Sequence, residues 1–157
     1  MSDGLPSLSG VLINDGIALF WAAWISIVVI TNIAAALRVA GLLPATTGLA
    51  SGNYTAIVKV SDRLSIPHNL DFILFLVIIV WETIAAVLLW RAAIYYLENS
   101  SLRVGAADTG LGVLLAIFAA FMLADEVFHA FKVENDHRAI AIFILISLIA
   151  LHVLPGT

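Results

Sequence analysis

Residues 70–90 read LDFILFLVIIVWETIAAVLLW, a run of apolar residues in which only Asp71 and Glu82 carry a charge. The hydrocarbon core of a bilayer is about 30 Å thick and needs about 20 apolar residues in an α-helix, so this run predicts a transmembrane helix. Glu82 lies near its middle, where an ionised side chain costs at least ~2.5 kcal/mol. We therefore expect Glu82 to be either neutral and hydrogen-bonded or retained for a function.

The composition of the whole chain points to the same environment. Of its 157 residues 62% are hydrophobic and 11% are charged, and the mean hydropathy is +1.09. Soluble domains average about 45–50% apolar and about 25% charged residues, so we expect an integral membrane protein in contact with the lipid bilayer. The net charge of −4 offers no basic surface for nucleic acid. The absence of cysteine excludes disulfides, thiolate metal sites and iron–sulfur clusters.

Four stretches are long and apolar enough to cross a bilayer. They cover residues of about 16–38, 70–97, 109–130 and 138–154. The fourth apolar run is short, so its helix is expected to begin in the polar turn before it. These spans predict an all-α fold, a polytopic membrane protein whose four transmembrane helices form an up-down bundle in one domain.

The first connection, residues 39–69, contains a further helix signal. Asn53 is a favourable N-cap for a short helix over residues 54–64. Tyr54 and Ile57 would share one face of that helix, with Lys59 elsewhere. This pattern is typical of an interfacial helix on the membrane surface, and equally of an amphipathic helix that packs on the bundle.

Four spans place both termini on one side of the membrane, called side A here; the opposite side is side B. Basic residues are more frequent on side B. Side B holds Arg38, Lys59, Arg63, Lys132 and Arg138, and side A holds Arg91 and Arg103. Because cytoplasmic loops are enriched in Lys and Arg, side B is predicted to be cytoplasmic, in a bacterial or archaeal inner membrane.

Three polar residues within the spans are candidates for an intramembrane site or ligand contact. Glu82 lies about twelve residues, or roughly 18 Å, from the side-B end of its helix. Ser26 and Ser147 fall near the middle of the first and fourth helices and are candidate hydrogen-bond partners. No basic residue lies at that depth, so the neutral form of Glu82 is expected. Its role is then either a proton relay or ligand contact, or a structural hydrogen bond.

A second cluster lies on side B. Asp125 and His129 are four residues apart and share a helix face, and His137 follows across the turn. Histidine and carboxylate together suit zinc, copper or non-haem iron. The order of these residues resembles the copper-ligand pattern of the small multi-span subunit of membrane methane and ammonia monooxygenases. The alternative is a solvated turn with helix-capping charges. Further polar residues of this surface are His68, Asp71 and Glu126.

Several separated motifs resemble one bacterial family, the predicted small integral-membrane proteins of unknown function. The motifs are Asn53-Tyr54, Trp81-Glu82-Thr83 with the apolar run to Arg91, Asp125-Glu126 with Phe128 and Phe131, and the closing Pro155. The resemblance covers roughly residues 16–155. It implies a four-span architecture with an acidic residue in the second span, and it draws attention to Glu82 and Glu126.

Three functions are consistent with these residues. The first is a non-catalytic accessory or structural subunit of a larger respiratory, photosynthetic or oxidative membrane complex. The second is a small proton or solute transport protein that uses Glu82. The third is a metal-dependent membrane enzyme subunit with a site at Asp125, His129 and His137. The first requires no cofactor, although a lipid or quinone contact near Glu82 fits all three.

Overall fold

The computed structural model describes residues 8–62, 66–128 and 131–154, and all of its regular structure within these ranges is helical. The helices are α1 Leu8–Val39, α2 Asn53–Ser61, α3 His68–Leu97, α4 Arg103–Val127 and α5 Phe131–Val153. The prediction of an all-α fold is confirmed.

Four of these helices are long and apolar enough to cross a membrane. Their candidate spans are Leu12–Val39, His68–Leu97, Arg103–Val127 and Asn135–Val153. The four-span prediction is confirmed, although α1 begins at Leu8 rather than near residue 16, and the start of α4 also differs from the one expected. Helix α4 begins at Arg103 rather than near residue 109, because Ala106 and Ala107 pack in the core as part of its first turns. Helix α5 begins at Phe131, in the polar turn before the fourth apolar run, as expected.

Helix α3 is the centre of the bundle. It packs along α1 on one side and along α4 on the other, and α5 packs along α4. Helices α1 and α5 make little contact, so the bundle is open between its first and last spans. The order across the bundle is therefore α1, α3, α4 and α5, each antiparallel to its neighbour.

A glycine allows the closest approach between α3 and α4. A Cβ atom at Gly110 would lie 3.0 Å from Cγ of Leu89 and 3.2 Å from its backbone nitrogen. Small residues permit such contacts between membrane helices, where packing rather than the hydrophobic effect drives association. The contact places Gly110 directly opposite Leu89 and fixes the register of these two helices.

The apolar interior is divided into a large and a small core. The large core joins all four spans and includes Ile25, Leu89, Leu114, Ile117 and Ile144. The small core, toward side B, joins α1, α2 and α3 and contains Ala35, Ala36, Phe75 and Ile79, with Ala50, Tyr54, Ile57 and Phe72 packed against it. The two cores leave a boundary between them at the level of Glu82.

The short helix in the first connection is confirmed as α2, with a different start from the one expected. It begins at Asn53, and Gly52 occupies the N-cap position without a side-chain hydrogen bond. The prediction that Asn53 caps this helix is wrong, because its side-chain amide donates to Asn32 of α1 instead. The described helix ends at Ser61, and residues 63–65 lie outside the described ranges.

Candidate functional site

Glu82 is buried at the boundary between the two cores and contacts a buried asparagine of α1. Its side chain is 4% exposed, and Asn32 is fully buried. Nδ2 of Asn32 donates to Oε2 of Glu82 over 2.8 Å. A carboxyl group in an apolar surrounding is costly unless it is hydrogen-bonded, so this amide gives Glu82 the partner that its position requires.

The same asparagine also binds the first connection. Its Oδ1 accepts hydrogen bonds from Oγ of Ser51 at 2.7 Å and from Nδ2 of Asn53 at 2.9 Å. The backbone N–H of Ser51 donates to the carbonyl oxygen of Thr31 at 3.0 Å. We call Glu82, Asn32, Ser51 and Asn53 the polar layer. It joins α1, α3 and the start of α2 through one side chain.

The polar layer reaches the surface of the protein on one side and is closed off by the apolar core on the other. Asn53 is exposed, so a hydrogen-bonded line runs from the surface of the first connection through Asn32 to Glu82. Toward side A the layer is followed by the large core, in which Ile25 and Leu89 are 1% exposed and Ala85 is fully buried. The apolar core therefore separates the polar layer from side A.

The two serines predicted as partners of Glu82 bind tryptophans instead. Oγ of Ser26 donates to the carbonyl oxygen of Ala22 and accepts from Nε1 of Trp90 at 2.9 Å. Oγ of Ser147 donates to the carbonyl oxygen of Phe143 and accepts from Nε1 of Trp21 at 2.9 Å. The first pair links α1 to α3, and the second links α1 to α5 across the open side of the bundle.

Asp125 and His137 of the side-B cluster come together. Nδ1 of His137 lies 2.6 Å from Oδ2 of Asp125, and the imidazole packs against the rings of Phe118 and Phe121. An aspartate on Nδ1 fixes the ring and leaves Nε2 as the atom for a ligand. His129 lies outside the described residues. Within the described ranges no three His, Asp or Glu side chains are grouped as a metal site would require.

Of the other polar residues predicted at the side-B surface, His68 and Glu126 are exposed, whereas Asp71 is buried. Nδ1 of His68 lies 3.2 Å from Oδ2 of Asp71, and its Nε2 lies 3.8 Å from Oδ1 of Asp62. The His68 side chain is 68% exposed, whereas that of Asp71 is 1% exposed. Glu126 is exposed on α4 beside Arg138 of α5, where the two line a shallow surface depression.

Sequence reasoning missed Asn32, although a signal was present. Asn32 is the only amide in the apolar run from Gly16 to Leu37, and an antiparallel neighbour brings it level with a mid-span residue such as Glu82. Ser51 gave no local signal, because only the fold brings it back to α1. The likeness to a family of small integral-membrane proteins stays a prediction, since no family model, curated protein or solved structure matches this chain.

Proposed function

We propose that this chain is a non-catalytic, membrane-embedded subunit that packs against another membrane protein through the open side between α1 and α5. The observation that carries the proposal is the groove on this side, with a volume of about 530 Å³. We call it the α1/α5 groove. It is lined by Ile13, Gly16, Ile17, Phe20, Trp21, Trp24, Ile140, Phe143 and Ser147.

The groove has the features of a helix-packing surface. In the most apolar stretch of α5 17% of the residues are buried, against 33–39% in the other three spans. Gly16 lies in the groove, and a Cβ atom placed there would meet no atom within 4 Å. Small residues at a membrane-helix surface let a second backbone approach closely. The groove therefore suits a partner helix that completes the packing of α1 and α5.

The hydrogen bond of Glu82 to another residue of the same chain supports a non-catalytic role. Its described hydrogen bond is to Asn32, and Asn32 uses its remaining acceptor capacity on the first connection. The polar layer thus stabilises the relative placement of three elements. A satisfied polar network of this kind specifies a unique packing without requiring a substrate.

The test is purification in mild detergent from native membranes, followed by mass spectrometry. We expect other membrane subunits to co-purify in stoichiometric amounts, and Gly16→Phe to abolish this co-purification by filling the groove. Gly112→Phe is the matched control, because Gly112 is exposed on α4 and also has no atom within 4 Å of its Cβ position. A wild-type chain that runs alone, or a Gly16→Phe chain that keeps its partners, would refute the proposal.

A second candidate function is proton or solute transport through Glu82. It rests on the hydrogen-bonded line from exposed Asn53 through Asn32 to the carboxyl group. Transport would also require the large core to open toward side A. Glu82→Gln in proteoliposomes is the test: loss of flux supports this function, and unchanged flux removes it.

A third candidate function is a metal-dependent enzyme subunit at Asp125, His129 and His137. It rests on the orientation of His137 by Asp125, which leaves Nε2 available to a metal ion. The experiment is metal analysis of the purified protein beside His137→Ala. Stoichiometric metal that the substitution removes would support a site, and an equal trace content in both proteins would exclude it.

A further inference from the structure

Charged side chains mark the two ends of the apolar part of the bundle, one level on side A and one on side B. On side A, Arg91 and Asp108 are level, because each lies two residues from the contact between Leu89 and Gly110. On side B, the corresponding level is marked by Asp125. The two aspartates are seventeen residues apart on α4, about 26 Å at 1.5 Å per residue, which is close to the thickness of a hydrocarbon core.

The first connection does not stay at the side-B level. Ser51 donates to the carbonyl oxygen of Thr31, which is eight residues before the end of α1 at Val39, so the chain has returned about 12 Å along the helix. The bond between Asn53 and Asn32 places the start of α2 at the same depth as Glu82. The part of this connection that contains Ser51 and Asn53 therefore lies well inside the apolar part of the bundle.

Helix α2 then runs back toward side B. Tyr54 lies near the start of α2. The centroid of its ring is 5.5 Å from that of Phe75 and 6.1 Å from that of Phe72, which lies nearer the side-B end of α3. Ile57 packs against the same small core. Residues 40–52 thus run inward from side B to the depth of Glu82 and form the descending leg. Helix α2 runs back toward side B and forms the ascending leg. This shape differs from a helix that lies flat on a membrane surface.

The composition of the descending leg suits contact with lipid. The sequence carries no charged residue between Arg38 and Lys59. Leu42 is 71% exposed and Leu49 is 57% exposed, although both are apolar. The backbone of this leg is partly hydrogen-bonded within itself and, at Ser51, to α1, which lowers the cost of irregular chain at membrane depth. These bonds run from Leu42 N–H to Leu37, from Thr47 N–H to Pro44 and from Ala50 N–H to Thr47.

We propose that residues 40–61 form a re-entrant segment, with its exposed leucines in contact with lipid acyl chains of the side-B leaflet. Three features select acyl chains as the occupant of this surface: its depth between the two charged levels, the absence of charge from residue 39 to residue 58, and the exposed leucines. The segment covers the polar layer and separates Glu82 from bulk water on side B. This proposal is independent of any partner subunit.

The absence of cysteine from the chain makes a direct test available. Single variants Leu42→Cys and Leu49→Cys are spin-labelled in lipid nanodiscs, where both membrane faces meet water. Oxygen partitions into lipid and a nickel chelate into water, so the ratio of their relaxation effects reports depth. Ile146→Cys, exposed in the middle of α5, is the lipid control, and Ser101→Cys, in the exposed turn before α4, is the water control.

We expect the label at residue 49 to match the one at residue 146, and the label at residue 42 to lie between the two controls. A membrane-impermeant maleimide should modify the thiol of Leu49→Cys at least roughly tenfold more slowly than that of Ser101→Cys, because the thiolate that reacts is disfavoured in lipid. Water accessibility of residue 49 equal to that of residue 101 would overturn the proposal. Protection of residue 49 in native membranes but not in pure-lipid nanodiscs would also overturn it, since the cover would then be a protein partner.

Discussion

Asn32 is the residue at which three parts of the molecule meet. Its amide group donates to Glu82 on α3 and accepts from Ser51 and Asn53 of the first connection. In a low-dielectric interior the buried groups of Glu82 and Asn32 would be costly without their partners. The stability of the polar layer therefore depends on the asparagine more than on the glutamate, although the glutamate is the more conspicuous residue in the sequence.

Substitution of Asn32 should destabilise the protein more than substitution of Glu82. Asn32→Leu leaves the buried carboxyl group of Glu82 and the half-buried hydroxyl of Ser51 without their partner, and a buried unsatisfied group costs about 1–3 kcal/mol. Glu82→Gln retains an oxygen that accepts from Nδ2 of Asn32, so we expect a change within about 1 kcal/mol. Thermal unfolding in detergent, followed by circular dichroism, measures both variants.

Two other outcomes would change this view of the polar layer. Equal melting temperatures for wild type and Asn32→Leu would contradict a structural role for the layer. A large loss of stability in Glu82→Gln alone would instead show that the carboxyl group makes a contribution that an amide cannot replace.

At the scale of elements, the small residues of α4 decide how closely it approaches α3. Gly110 faces Leu89, whereas Gly112, two residues later, is exposed and has free space around its Cβ position. The two glycines belong to the same helix and have similar neighbours in sequence. They differ only in the face of the helix on which they lie, which makes them a matched pair.

Gly110→Leu should separate α3 from α4, and Gly112→Leu should not. The added side chain at residue 110 would overlap Leu89 and its backbone, and overpacking of this kind costs about 1–3 kcal/mol. The readout is the temperature at which each purified variant loses its monodisperse elution in detergent. A Gly110→Leu protein as stable as Gly112→Leu would show that this helix pair is not closely packed.

The same scale explains which features the sequence could predict. The four spans follow from runs of about 20 apolar residues, which is a local property of the chain. The start of α4 at Arg103 depends on the packing of Ala106 and Ala107, and the failed N-cap at Asn53 depends on a partner in α1. The pairing of Ser26 and Ser147 with tryptophans is likewise tertiary. Such contacts carry no signal in local periodicity.

At the scale of the whole molecule, we expect four antiparallel spans to place the start of α1 and the end of α5 together on side A. Two contacts, one near each end, support the antiparallel arrangement of α4 and α5. His152 of α5 bonds to Asp108 of α4 at 2.9 Å near side A, and His137 of α5 bonds to Asp125 of α4 near side B. The basic residues Arg38, Lys59 and Arg138 all lie toward side B. The distribution of these basic residues predicts a topology with side B in the cytoplasm.

This topology predicts that both termini lie outside the cytoplasm. Alkaline phosphatase fused to either terminus should be active, because it folds only in an oxidising compartment, and a fluorescent protein fused to either terminus should be dark. A fluorescent protein fused after residue 128, which follows α4, should be bright and serves as the control for side B. Opposite readings from the two termini would contradict the four-span arrangement. Cytoplasmic readings from both termini would keep the four spans and reverse the orientation, which would show that the charge difference between the two sides does not determine how this chain inserts.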